Sequence, residues 1–284
     1  MNKVEFRLSL SNGTNLFAQK WLTPEKPKAI ITLVHGLGEH CDRYDHVAQF
    51  FNDAGISFYS FDHYGHGKSE GKRGHIPSYK VVTDSINAII QYAKLEFPDT
   101  PVFLYGHSMG GNFVLYYLIQ GFKEVTGGIV TSPGIGTGEP VPPGKLVFGK
   151  IMRAIAPNFT MKNGLDVENL SHDKKVIEAY KNDPLVHPMI SARLGLDMIE
   201  KGPWIIKNAS MLKNKLLLMQ GTGDHIVNPS LTKEFASNAP QNLLTFKLYD
   251  GYFHEIHNEI GKEQVLEDIV SWIHQQTINP TNNK

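Results

Sequence analysis

A single serine stands among glycines in the segment "FLYGHSMGGNF", which covers residues 103–113. Its centre, "GHSMG", fits the pattern G-x-S-x-G and lies between an apolar run typical of a strand and a segment of helical character. Glycines at these spacings permit a sharp turn that lifts the serine above a sheet and aims a helix N-terminus at its hydroxyl. We therefore predict that Ser108 is a catalytic nucleophile.

A serine hydroxyl is a weak nucleophile at neutral pH, so it needs a base and a group that orients the base. The segment "LLLMQGTGDHIVNP" places Asp224 just after a late predicted strand, and "LLTFKLYDGYFHEIHNE" places His254 just after the last one. Nucleophile, acid and histidine follow one another in this order in hydrolases with a G-x-S-x-G turn. The sequence therefore predicts a triad of Ser108, Asp224 and His254.

Some neighbouring side chains are alternatives to this assignment. His257 is the second choice for the base, and an aspartate within "GTGD" would also suit a turn or a helix cap. Asp62, at the end of a predicted strand, is expected to hold backbone amides of the glycine-rich loop over residues 62–76. His107 adjoins the nucleophile and is expected to point elsewhere.

Negative charge that develops on a substrate oxygen needs hydrogen-bond donors. One predicted donor is the backbone N–H of Met109, the residue after the nucleophile. The other is expected in "HGLGEH", residues 35–40, which follows the apolar run "AIITLV"; within it we choose Leu37. A tight turn that merely needs glycine is the alternative reading of this loop.

Strand-like and helical patterns alternate along most of the chain. This alternation predicts an α/β fold with a mostly parallel central sheet flanked by helices, preceded by a β-hairpin over residues 4–21. The rhythm breaks at "PGIGTGEPVPPGK", after which the chain reads as helices and loops without strands until "KLLLMQ". We predict a core over residues 1–133, an inserted helical cap over 134–208, and a second part of the core over 209–284.

Composition excludes several classes of protein. Lys and Arg together number 28, as do Asp and Glu, so the net charge is zero. This balance gives no reason to expect binding of nucleic acid. Cys41 is the only cysteine, which rules out an internal disulfide and fits a reducing compartment. The N-terminal residues lack the apolar stretch of a signal peptide, and no apolar run approaches the roughly 18 to 20 residues of a membrane span. We expect a cytoplasmic protein that uses no metal or cofactor.

Several segments together carry a family resemblance. "HGLGEHCDRY", "FDHYGHGKSEGKRGHI", "GHSMGG", "GTGDHIVNP" and "FHEIHNE" resemble, in collinear order, the monoglyceride lipases and lysophospholipases of the α/β-hydrolase superfamily. The cap stretch "LSHDKKVIEAYKNDPLVH" is also similar, so that the resemblance covers nearly the whole chain. It implies the α/β-hydrolase fold, the same triad and oxyanion hole, and a lipid-facing cap.

The activity that the resemblance implies is hydrolysis of monoacylglycerols to glycerol and a fatty acid through an acyl-enzyme. A lysophospholipase or a general short- to medium-chain carboxylesterase is the alternative. A non-catalytic binding protein of the same fold is a third reading, which loss of a triad residue would favour.

The resemblance also implies a polar site for the glycerol headgroup. It assigns this site to Glu39, Arg43 and His257, and more loosely to Tyr180. The alternative for the first two is a surface ion pair one helical turn apart. Leu37 stands where the animal enzymes usually carry a small residue, and this departure leaves the acyl-chain preference open.

One cap segment, "GKLVFGKIMRAIAP" at residues 144–157, is apolar with basic residues interspersed. Its apolar residues could form one helical face that meets lipid. We expect the segment either to contact membranes or micelles or to pack on its own domain. The apolar residues are Leu146, Val147, Phe148, Ile151, Met152 and Ile155.

Overall fold

The computed structural model describes residues 2–122 and 124–278, so the outer ends of the predicted core, residues 1 and 279–284, lie outside the described residues. Within those ranges ten strands form an eight-stranded sheet and a two-stranded ribbon. In chain order the strands are β1 (Asn2–Ser9), β2 (Asn15–Leu22), β3 (Ala29–Val34), β4 (Ile56–Phe61), β5 (Val102–His107), β6 (Gly127–Thr131), β7 (Thr160–Lys162), β8 (Met189–Ser191), β9 (Lys215–Gly221) and β10 (Leu244–Tyr249).

The large sheet is mostly parallel, with strand order β1-β2-β4-β3-β5-β6-β9-β10. β1 and β2 form the predicted antiparallel hairpin, and β2 pairs antiparallel with β4. From β4 to β10 every neighbouring pair is parallel. All residues of β3 and β4 are buried, which explains their continuous apolar runs, since a parallel strand is covered on both faces. The predicted fold class is confirmed.

Helices connect the strands and cover both faces of the sheet. Within the described residues they are α1 (Asp45–Asp53), α2 (Tyr79–Glu96), α3 (Met109–Ile119), α4 (Pro143–Ile155), α5 (Lys174–Asn182), α6 (Ala192–Lys207), α7 (Pro229–Asn238) and α8 (Lys262–Ile278). None of these is both long and apolar enough to cross a membrane. α7 is not among the predicted elements, although Asn228 caps its first turn and Pro229 opens it.

The core consists of two apolar layers, one on each face of the sheet. Side chains alternate between the layers along each strand: Ile30 packs with residues of α2 and α3, whereas Ile31 packs with residues of α1 and α8. In the second layer the rings of Phe103 and Trp272 lie 5.7 Å apart. The sheet is therefore rigidly held on both sides, and loops at its edge have a fixed support.

The segment between β6 and β9 contains α4, α5, α6 and the ribbon of β7 and β8. The expectation that this segment has no strands is wrong, because β7 and β8 pair antiparallel from Thr160↔Ser191 to Lys162↔Met189. Three-residue strands are too short to show an alternating pattern. The division into a core and an inserted cap at residues 134–208 stays a prediction.

Several contacts join this segment to the loops above the sheet. The N–H of His187 donates to the carbonyl oxygen of Gly38 at 2.9 Å, and His40 Nε2 lies 2.8 Å from Asp183 Oδ2. On the other side, Lys201 of α6 places its ammonium 4.7 Å from the ring centre of Tyr116. The predicted cap is thus attached directly to the loop that follows β3.

The first turn of α3 lies directly against the end of β3. A Cβ atom on Gly110 would collide with the carbonyl oxygen of Val34, which is backbone and cannot rotate away. We predict that Gly110→Ala lowers the free energy of unfolding by roughly 1 to 3 kcal/mol or more, measured by thermal or denaturant unfolding. Gly149→Ala in α4 is the matched control, since its Cβ would meet only the Leu196 side chain at 3.4 Å. Equal stability of the two variants would contradict this account.

Candidate active site

The turn that carries Ser108 is a single residue between β5, which ends at His107, and α3, which begins at Met109. Ser108 has φ 54° and ψ −118°, a conformation that residues with a Cβ rarely adopt. A Cβ on Gly106 would lie 2.5 Å from the carbonyl oxygen of Gly110. The G-x-S-x-G pattern therefore reflects steric need, and the Ser108 side chain stays half-buried at the edge of the sheet.

His254 lies within hydrogen-bonding distance of both other residues of the predicted triad. Ser108 Oγ is 2.8 Å from His254 Nε2, and His254 Nδ1 is 2.8 Å from Asp224 Oδ2. His254 and Asp224 are 2% and 5% exposed, so bulk water competes little for these hydrogen bonds. The arrangement allows His254 to accept the Ser108 proton while Asp224 fixes the ring.

The carboxylate of Asp224 is itself held in place. Oδ1 accepts hydrogen bonds from the backbone N–H groups of Ile226 and Val227 at 2.8 and 3.0 Å, and Oδ2 accepts one from Gln220 Nε2 at 3.0 Å. Burial raises the pKa of Asp224, but the opposite charge of His254 and these donors outweigh it, and the net pKa lies below the ordinary value. Asp224 is therefore ionised at neutral pH.

The pKa of His254 moves the other way. Burial is the largest single influence and lowers it, whereas the charge and hydrogen bond of Asp224, with smaller contributions from Glu255 and Glu39, raise it. The net pKa lies above the ordinary histidine value. A protonated His254 is thus well stabilised, which is the form that exists after it takes the serine proton.

The loop after β3 lies against the nucleophile. A Cβ on Gly36 would come within 3.4 Å of Ser108 Cβ, and the Gly36 N–H is already engaged with Glu39 Oε1 at 2.5 Å. Across the described part of the chain, the Leu37 N–H donates to no protein acceptor. The N–H of Met109 opens α3 and has no intrahelical acceptor. The oxyanion hole formed by these two backbone donors stays a prediction.

Glu39 and Arg43 form part of a buried ion network. Arg43 Nη1 lies 2.6 Å from Glu39 Oε2 and 2.8 Å from Glu255 Oε1, while Nη2 lies 2.8 Å from Glu255 Oε2. Their side chains are only 3 to 9% exposed, so the alternative of a surface pair is wrong. The loop that carries His254 covers them. Tyr180 adds its ring, 4.7 Å from the Arg43 guanidinium.

Glu255 is a member of this network that sequence reasoning missed. It follows His254 directly, but its partner Arg43 stands 212 positions earlier, and no local pattern joins residues so far apart. Burial raises the pKa of Glu255, yet the charge and hydrogen bonds of Arg43 prevail and lower it to about 2. Through Arg43 and Glu39, the network connects the histidine loop to the loop that carries Leu37.

Two further histidines pack beside the triad. His257 stacks on Tyr44 with ring centres 5.0 Å apart, and burial lowers its pKa to about 3. His107 was expected to point elsewhere; its Nδ1 does contact Thr131 Oγ1 at 3.0 Å, but its ring packs 4.9 Å from that of His254. Burial lowers the pKa of His107 as well. Both rings are neutral at pH 7, and His254 is the one that meets Ser108.

Asp62 supports the loops around the site, as expected. Its Oδ1 accepts the N–H of Cys41 at 2.8 Å and its Oδ2 accepts that of Lys68 at 2.7 Å. Burial raises the pKa of the neighbouring Cys41 thiol. Among the residues that the structure describes, no three His, Cys, Asp or Glu side chains converge in a way that would hold a metal ion.

Comparison with known proteins places this arrangement among related chains. Residues 25–261 match the family described as serine aminopeptidase, S33. An uncharacterized abhydrolase domain-containing protein of Dictyostelium discoideum is 36% identical over 97% of this chain, which spans 29% of that protein's length. The monoacylglycerol lipase of Mycolicibacterium smegmatis is 31% identical, with 92% of this chain and 93% of that one covered. The crystal structure of Paleococcus ferrophilus monoacylglycerol lipase has a TM-score of 0.85 and 32% identity, over 92% of this chain and 99% of that one.

Proposed function

This chain belongs to the family described as serine aminopeptidase, S33, within the α/β-hydrolases, and we propose that it is a serine hydrolase that cleaves monoacylglycerols. The proposal rests on two contacts of 2.8 Å, one between Ser108 Oγ and His254 Nε2 and one between His254 Nδ1 and Asp224 Oδ2. The substrate class is supported by two relatives named monoacylglycerol lipase, each above 30% identity over nine tenths of this chain. The products are glycerol and a free fatty acid.

The acylation step follows from the triad geometry. His254 Nε2 takes the Ser108 proton as Oγ attacks the ester carbonyl carbon, and a tetrahedral intermediate forms. Asp224 accepts the Nδ1–H hydrogen bond, which keeps the correct tautomer and stabilises the imidazolium. Because Asp224 stays ionised, the proton remains on His254 until the intermediate collapses.

The negative oxygen of this intermediate is bound by the backbone N–H groups of Leu37 and Met109. One such donor typically contributes roughly 3 to 4 kcal/mol to transition-state stabilisation. Neither donor needs to move during the reaction, since one opens α3 and the other sits on a loop that Glu39 holds.

The intermediate collapses when His254 returns its proton to the leaving glycerol oxygen. The acyl group is then bonded to Ser108 Oγ. A water molecule, activated in turn by His254, attacks the acyl carbon, and the fatty acid leaves as Ser108 regains its proton. The reaction balances with water alone and draws on no other reagent.

We also propose that the Glu39–Arg43–Glu255 network, with Tyr180 and His257 beside it, recognises the glycerol headgroup. Both oxygens of Glu39 are occupied, one by Arg43 and the other by the Gly36 N–H. The network therefore acts on a headgroup chiefly through its net charge. It contains two carboxylates and one guanidinium.

The exposed face of α4 supports peripheral contact with lipid. In α4, Leu146 and Met152 are half-buried, whereas four apolar residues are 43 to 73% exposed. Phe159 extends this patch, with its ring 6.1 Å from that of Phe148. An exposed apolar face on a helix with basic residues is typical of interfacial binding. The four exposed residues are Val147, Phe148, Ile151 and Ile155.

Removal of the nucleophile tests the central proposal. We predict that Ser108→Ala folds with normal thermal stability but loses ester hydrolysis and labelling by a fluorophosphonate probe, because it removes the oxygen that lies 2.8 Å from His254 Nε2. The readouts are hydrolysis of a p-nitrophenyl ester and probe incorporation. A variant with near-wild-type esterase activity would refute the assignment, and an unlabelled, inactive wild-type chain would favour the non-catalytic reading.

The charge of the network predicts substrate preference. An anionic phosphate near Glu39 and Glu255 meets net negative charge when both are ionised, whereas an uncharged glycerol does not. We predict that a monoacylglycerol has a kcat/KM at least about tenfold above that of a lysophospholipid with the same acyl chain, a difference of ~1.4 kcal/mol. The measurement is a hydrolysis panel that also includes diacyl and triacyl glycerols. Faster turnover of the lysophospholipid would move the assignment to lysophospholipase.

The exposed patch on α4 predicts how the protein collects its substrate. Phe148→Asp removes apolar contact and adds a charge, so we expect roughly tenfold weaker binding to phosphatidylcholine vesicles and slower turnover of long-chain substrates. Hydrolysis of a water-soluble short-chain ester should not change. Leu95→Asp, at a residue 82% exposed on α2 and outside the patch, is the matched control. Unaltered vesicle binding by Phe148→Asp would remove the membrane role of α4.

A further inference from the structure

Two non-glycine residues of the described chain have positive φ angles: Ser108 at 54° and Ser132 at 45°. This backbone conformation costs of order 1 to 3 kcal/mol for a residue with a Cβ, and it persists only where the surroundings enforce it. The sharp turn between β5 and α3 accounts for Ser108. Ser132 directly follows β6 and is fully buried, and its strain has no such explanation.

The contacts of Ser132 link the sheet to the histidine loop. Its N–H donates to the carbonyl oxygen of Met219 on β9 at 2.9 Å, which fixes its backbone to the sheet. Its hydroxyl donates to the backbone carbonyl oxygen of His254 at 2.7 Å, across 122 positions of sequence. The left-handed backbone is what directs this hydroxyl while the N–H stays bonded to the sheet.

The segment over residues 131–134, which includes Ser132, is hydrogen-bonded to the nucleophile. The N–H of Gly134 donates to the carbonyl oxygen of Ser108 at 2.8 Å, and the Ser108 N–H donates to Thr131 at 3.1 Å. The side chain of Asn112 in turn donates to the Gly134 carbonyl oxygen at 2.8 Å. The chain that leaves β6 therefore contacts the backbone of both the nucleophile and the base.

The two backbone groups of His254 itself differ in how closely they are held. Its N–H reaches the carbonyl oxygen of Asn169 at 3.4 Å, beyond the usual range for an N–H···O hydrogen bond. The 2.7 Å bond from Ser132 is thus the shorter of the two backbone contacts that hold this residue. Without it the buried carbonyl oxygen of His254 would lose its partner, and the Glu255 N–H, bonded to the carbonyl oxygen of Leu170 at 2.8 Å, would alone hold the same peptide.

We infer that Ser132 is a positioning residue for the reaction, because its hydroxyl sets the backbone of His254 and thereby the distance from Nε2 to Ser108 Oγ. This inference rests on the proposed function of the site. A displacement of about 1 Å in a catalytic group can reduce turnover by roughly a hundredfold. Because Ser132 is fully buried and its hydroxyl is bonded to His254, we expect substrate binding not to involve it.

Two substitutions separate the hydroxyl from the backbone strain. Ser132→Ala removes the hydroxyl and keeps the strain, whereas Ser132→Gly removes the hydroxyl and relieves the strain. We expect both to lower kcat on a p-nitrophenyl ester by roughly 10- to 100-fold with little change in KM, and to slow fluorophosphonate labelling of Ser108 by the same factor. Ser132→Gly should nevertheless unfold at the higher temperature of the two.

Ser85→Ala is the matched control, since Ser85 is also buried and donates a 2.8 Å hydrogen bond to a backbone carbonyl, that of Val81 within α2. It should change stability without changing kcat. If Ser132→Ala does not fold, Ser132→Gly carries the test.

The outcomes separate this inference from the proposed function. An active wild-type chain with Ser132 variants that keep its kcat and labelling rate would overturn the inference alone. A wild-type chain that neither hydrolyses esters nor reacts with the probe would overturn the proposed function and the inference with it.

Discussion

The proposed activity depends on the hydrogen bond between Ser108 Oγ and His254 Nε2. It joins residues 146 positions apart and exists because neighbouring parallel strands end at the same edge of a sheet. Ser108 follows β5, Asp224 follows β9 and His254 follows β10. In the sheet these strands lie in the order β5-β6-β9-β10, so that only β6 separates β5 from β9. A rigid sheet with an apolar layer on each face thus defines distances that three loops alone could not maintain.

Charge is distributed around this bond in two separate ways. Asp224 lies against the histidine that becomes positive in the proposed mechanism, while Glu39, Arg43 and Glu255 form a second, buried ion network beside it. In a buried ion pair the attraction between the charges offsets little more than the free-energy cost of desolvating them. The network is therefore poor evidence for stability. We attribute its value to geometry, since it fastens the loop after β3 to the loop after β10.

Local features of the sequence predicted much of this structure, and long-range contacts set the limit. The strand at Ala29–Val34 has the bounds of the continuous apolar run "AIITLV", and residue type and order along the chain were enough to choose the three residues of the predicted triad. The three-residue strand at Thr160–Lys162 is too short for any periodic signal. The partners of Glu255 and Ser132 depend on how distant loops meet, which composition and spacing do not encode.

The bond from the His187 N–H to the Gly38 carbonyl oxygen has a consequence for how this molecule can evolve. Gly38 is next to Leu37, and a side chain on Gly38 would strike the backbone of His187, so the two segments fit closely. A change that separated these two segments to admit a bulkier ester would also shift Leu37, whose N–H we propose as an oxyanion donor. The range of substrates and the catalytic rate are therefore coupled at this contact. We expect substitutions that alter one of them to be accompanied, in evolution, by substitutions that restore the other.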